Sequence, residues 1–160
     1  MKLHVLLLNL VAALLLSAPV AWGAAPDWDL IDSSEQFDFF HDMAANVTTP
    51  EGLVIVTLKA VYTPEGKQET LQLLKNDQRY ADLAFTVYTY DLNCEVGTSR
   101  LRGVAHFDSK EGKITEFNLA GKTEWEEIPP GSRLDLVQGQ ACPVVQELPA
   151  PRAPEPPAAK

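Results

Sequence analysis

The stretch from Trp125 to Cys142, taken with Cys94, constrains the fold more than any other part of the chain. Trp125 is followed by Ile128, a rigid Pro129-Pro130 corner, Gly131 and Ser132, then a short apolar-periodic piece, then Cys142. Ser132 is a helix cap by type, and Asp135 stands close to a capping box. Leu134 and Val137 fall on the inward side of the helix that follows, and Gly139 marks its stop, so the pattern predicts a helix to about Gln138. Cys94 and Cys142 are the only cysteines. In an exported chain two cysteines most simply form one disulfide, whereas a reducing cytosol suits two free buried thiols. Closed by that bond, the segment is a lid sewn onto a sheet, with Trp125, Ile128, Pro129, Pro130, Gly131 and Ser132 as its structural anchor.

Residues 1–23 read as an export signal. Lys2 gives the positive start, Leu6 to Leu16 is apolar apart from Asn9, and Ala21 and Gly23 are the small residues before a cut at Ala24. The run is short of the roughly 18 to 20 apolar residues of a membrane span. No cysteine stands at the cut to take a lipid. The expectation is an exported chain, periplasmic or secreted, with no stable membrane span after signal removal. Formal charge is −9, and losing Lys2 with the signal takes it to −10. That argues against nucleic acid and anionic membrane surfaces as partners, since both need a basic footprint.

Strand patterning fills the middle of the chain. Trp28 to Ser33 is a first edge strand with imperfect alternation, and Phe37, Phe39 and Phe40 mark a second, ending near Asp42. Leu53 to Tyr62 is a central strand, with Val54, Val56, Leu58, Ala60 and Tyr62 on one wholly apolar face. Thr63-Pro64-Glu65-Gly66 is either a turn or a helix start, and a helix follows from about Lys67 to Tyr80 with a narrow apolar stripe. Leu83 to Cys94 is the second long strand. Ser99–Asp108 and Lys113–Leu119 form a hairpin with two competing registers. Pairing Asp108 with Lys113 sets Ala105 opposite Glu116. Pairing Ser109 with Lys113 sets Ala105 opposite Phe117 and His106 opposite Glu116, with Gly112 left-handed, and matches apolar with apolar. The second register is therefore expected, with Phe107 and Phe117 on the core face. From Pro143 on, six of eighteen residues are proline, a composition that buries little apolar surface and reads as a disordered tail. The fold class is α+β: a small antiparallel sheet of about six strands, one longer helix, one short C-terminal helix and one disulfide, all within residues 24–142.

The Asp91-Leu92-Asn93-Cys94 run, the Arg100-Leu101-Arg102 strand and the Trp125-x-x-Ile128-Pro-Pro-Gly-Ser132 segment leading to Cys142 resemble the surface-adhesin protein E-like domain of Gram-negative bacteria. The likeness runs from Trp28 to Cys142. It implies a small antiparallel sheet packed with helices, a Cys94–Cys142 disulfide, and a protein partner from the host matrix or the cell envelope. The oligomeric state stays open, a dimer included.

Chemistry-bearing residues are few. His41 and His106 are the only histidines after the signal, and no second cluster stands near His41-Asp42 at metal-ligand spacing. The sequence has no nucleophile elbow, phosphate loop or dithiol motif. It points to no enzyme, no cofactor and no catalytic or metal residues. Arg100, Arg102 and His106 share one strand face by alternation. They are either a cationic stripe for an acidic partner or the counterparts of Glu116 and nearby acids. Trp125 reads as a core residue. Two functional classes follow: a non-catalytic binding or adhesion domain, or a periplasmic domain with a structural or assembly role.

Overall fold

The computed structural model describes residues 26–142; the expected signal and the proline-rich tail lie outside the described residues. Eight strands form one antiparallel sheet: β1 (Trp28–Ser33), β2 (Phe37–Asp42), β3 (Val47–Thr48), β4 (Val54–Tyr62), β5 (Leu83–Asn93), β6 (Thr98–Asp108), β7 (Lys113–Asn118) and β8 (Glu126–Glu127). The long strands lie in the order β1-β2-β4-β5-β6-β7, while β3 pairs with β4 and β8 with β6. Helix α1 (Pro64–Leu73) connects β4 to β5, and α2 (Arg133–Ala141) ends the described chain. The α+β class, the six-strand path and the Cys94–Cys142 disulfide agree with the sequence reading.

The central strand is β4, paired with both β2 and β5. Its even-numbered residues Val54, Val56, Leu58 and Ala60 are buried, as the period of two requires. With Leu92, Ile128 and Val137, the first three form the core. The imperfect alternation of β1 is a bulge. Leu30 pairs with Phe40 and Asp32 with Phe39, so Ile31 is the extra residue, and it packs on the core.

Helix α1 resolves the Thr63-Pro64 ambiguity in favour of a helix start. Thr63 Oγ1 accepts from Gly66 N, and Pro64 is the first helical residue. The helix root sits hard against the β1–β2 turn: a Cβ on Gly66 would stand 1.8 Å from the Gln36 carbonyl oxygen. The expected helix to Tyr80 does not form. Lys75 and Asn76 adopt positive φ values of 57° and 52°, and Asp77 caps a separate 3-10 turn, Gln78–Tyr80. The Lys-Asn-Asp run carries the cause, because Asn tolerates the left-handed region and Asp bonds the backbone two residues on.

Two further expectations are corrected. Gly139 does not stop α2, which runs on until Cys142 N donates to Gln138 O. The hairpin takes the first of the two registers, not the expected second: Ala105 pairs with Glu116, Val104 with Phe117 and His106 with Thr115. A shift beyond His106 then lets Phe107 pair with Lys113. Asp108 decides this. Its Oδ1 accepts from Lys110 N and Gly112 N, and these bonds fix the loop ahead of any apolar matching across the strands. Glu111, not Gly112, is the left-handed residue. Phe117 is left 48% exposed instead of lying in the core.

Candidate functional site

The helices cover only the two ends of one sheet face. At one end α2 is held over Val54, Val56 and Leu92 by the disulfide and by Val137. His41 adds to the closure: its Nδ1 lies 3.0 Å from Gln140 Oε1 on α2, and its Nε2 lies 2.9 Å from Asn46 Oδ1. At the other end α1 is anchored through Thr63 and Gly66. Between them lies a groove of about 470 Å³, walled by Phe37, Phe39, Tyr62, Tyr88 and Tyr90 and rimmed by Leu73, Leu74 and Arg133. Strand alternation and register place the walls. Phe37 pairs with Tyr62, Phe39 with Ala60, and Tyr88 with Leu58, so these aromatics continue the face whose other end is the core. An adjoining hollow of about 280 Å³ shares Phe39, Tyr90 and Arg133 and reaches Pro129 and Ser132.

The walls are ordered by ring packing. Phe39 stacks on Tyr88 with ring planes 14° apart, and Phe37 meets Tyr62 edge-on. The Arg133 guanidinium sits 4.7 Å from the Phe37 ring centre and 4.8 Å from that of Phe39, while its Nε donates to Asp32 Oδ2 at 2.6 Å. A polar relay lines the floor. Thr86 Oγ1 lies 2.8 Å from both the Tyr62 hydroxyl and His106 Nδ1, so its one proton goes to one neighbour while it accepts from the other. Burial holds His106 below the usual histidine range, between the rings of Tyr80 and Phe117. Burial also pushes Tyr88 above the usual phenol range, with the neighbouring Tyr62 adding to it. Tyr90 rises through burial first and Glu126 second. The groove therefore offers flat aromatic faces, neutral phenol donors and one stacked guanidinium. Leu73, on its rim, is 83% exposed.

The cationic stripe expected from Arg100, Arg102 and His106 is divided. Thr89 pairs with Gly103 and Tyr90 with Leu101, so Arg102 is the extra residue of a bulge. His106 then falls on the groove face, paired with Thr86, while Arg100 pairs with Asp91 on the opposite face. Arg100 Nε and Arg102 Nη1 both donate to the fully buried Asp91, at 2.8 and 2.9 Å. Glu116, offered as their counterpart, bonds Lys113 instead. Trp125 is not a core residue: it is 39% exposed and carries the Arg100 guanidinium 4.6 Å from its ring centre. In the rest of the anchor, Ile128 is buried, Pro129 and Pro130 form an exposed corner, Gly131 has φ 74°, and Ser132 Oγ accepts from Asp135 N. Asp135 reaches back to Gly131 N.

No family model, curated protein or solved structure matches the chain. Among the described residues, no group of three or more His, Cys, Asp or Glu could hold a metal ion, and no helix is long and apolar enough to cross a membrane. Sequence reading missed the groove. Its signal was aromatic residues at alternate positions, Phe37 and Phe39 on β2 and Tyr88 and Tyr90 on β5, in phase with the apolar face of β4.

Proposed function

We propose that the chain is an exported cell-envelope domain that binds a protein partner without catalysing a reaction, in the manner of the surface-adhesin protein E-like domain it resembles, and that the aromatic groove is its binding surface. The observation that carries this reading is the row Phe37, Phe39, Tyr62, Tyr88 and Tyr90 left between two short helices. An apolar cleft with a few convergent polar groups is the usual form of a binding site. The disulfide supports an oxidising compartment. The Arg100–Arg102 patch is the weaker surface, because Asp91 already engages both guanidinium groups.

The test uses purified matrix proteins and envelope extracts as immobilised partners. Leu73→Asp charges the groove rim, and Trp125→Ser alters the opposite face without unpairing Asp91. Retention should fall at least tenfold in Leu73→Asp and hold in Trp125→Ser. The reverse pattern would move the binding surface to the Arg100–Trp125 patch. The same groove would also serve an assembly role within the envelope, and protease shaving of intact cells separates surface display from that alternative.

A further inference from the structure

The residues after Cys142 repeat with a period of three. Val145, Leu148, Pro151, Pro154 and Pro157 are spaced three apart, with charged Glu147, Arg152 and Glu155 all off that series. A polyproline helix has three residues per turn, so in that conformation positions three apart share one edge, and in this series that edge is apolar. Such helices dock on grooves lined by aromatic rings, which pack against prolines while phenol and imidazole groups bond the free backbone carbonyls. The groove between α1 and α2 has that lining: Tyr62, Tyr88, Tyr90 and Phe39 for the rings, His106 on its floor.

We propose that this groove is the docking site of the chain's own segment Leu148–Pro157, bound in cis as an extended proline helix. The inference rests on reading the groove as the binding surface. Chain length permits it. Helix α2 has nine residues, a length of about 14 Å, and its first residue, Arg133, stands on the groove rim. The tail leaves at the far end, Cys142. Residues 143–147 span roughly 16 Å when extended, enough to run back along α2 and deliver Leu148 to the groove. Charge permits it as well. Within Leu148–Pro157 Glu155 balances Arg152, so the segment is neutral and is not repelled by an acidic domain. A short tether supplies a millimolar effective concentration, so an intrinsically weak contact fills the groove. Leu73, exposed on the rim, gains a neighbour when it does. A partner must then displace the tail, which makes the tail a built-in competitor that sets a threshold for binding.

The experiment follows ring resonances of Tyr62, Tyr88 and Tyr90 by NMR in the full chain, in a Pro151→Asp/Pro154→Asp variant of the tail, and in Leu73→Asp. The probe is a synthetic peptide with the sequence of residues 145–157. Ring shifts should differ between the wild type and the tail variant at every protein concentration. Added peptide should return the tail variant to the wild-type shifts, bind the wild type at least tenfold more weakly, and fail to bind Leu73→Asp. Identical ring shifts in wild type and tail variant would overturn docking in cis. If the peptide then bound both equally, the groove would stand as a binding surface without its own tail. If it bound neither, the groove reading would fall too. Wild-type shifts that grow with protein concentration would replace the cis contact by exchange of tails between two copies.

Discussion

The two ends of the helix-bearing face are built from the same strands and treated differently. At the α2 end, Val54, Val56 and Leu92 are covered by a helix that is capped by Ser132, bonded through Gln140 to His41 and tied by the disulfide. Toward α1, the same strands present Phe37, Tyr62, Tyr88 and Tyr90, and the helix stops at Leu73 with that side chain in solvent. One end of the face is sealed as a core and the other is left as a groove. Coverage, more than composition, separates the two: both are apolar, but only one has a lid fixed at both ends.

The sealed end should dominate stability. Replacing Cys94 and Cys142 by Ser removes a cross-link between residues 48 apart in sequence, worth about 4 kcal/mol by the loop-entropy relation. Urea titration of the variant should show that loss, and the oxidised wild type should show two protected sulfurs by mass spectrometry with and without reductant. Next comes a pair of leucines. Leu92→Ala, under α2, should cost about 3 kcal/mol. Leu73→Ala, on the groove rim, should stay within about 0.5 kcal/mol. Equal losses at the two sites would erase the distinction between core and groove.

Much of the fold was legible because it depends on one strand at a time. The bounds of β1 and β2, the buried face of β4 and the Ser132 cap all follow from local pattern, while Thr63-Pro64 fits a turn and a helix start equally and only the structure decides for the helix. The site was less legible because it depends on relations between strands. The bulge at Arg102 turns His106 away from Arg100, and the Asp108 loop bonds set the β6–β7 register against the apolar match. Neither is visible to a period-two argument applied along a single strand. The groove depends further on where α1 ends, and the Lys75-Asn76-Asp77 break sets that point.

A smaller effect tests the groove floor through pH. Burial lowers the His106 pKa in the folded state, so below about pH 6.5 the unfolded chain binds more protons than the folded one. The stability that comes from keeping this ring neutral is fully present above the unfolded value, and it is lost as pH falls through that value toward the folded one. Melting temperatures of wild type and His106→Gln between pH 8 and pH 5 should diverge most at the high end and converge toward the low end. Parallel profiles would mean that the ring is not held neutral by burial in the groove floor.

If the open part of this face is the binding surface, ring labelling will place a bound peptide there. With Phe, Tyr and Trp rings labelled, the proline-rich peptide is added to the tail variant. Phe39, Tyr62, Tyr88 and Tyr90 should shift together, while Trp28, Phe85 and Phe107, around and beside Lys59 on the opposite face, should not move. Shifts confined to Trp28, Phe85 and Phe107, with the groove rings unmoved, would move the binding surface off this face.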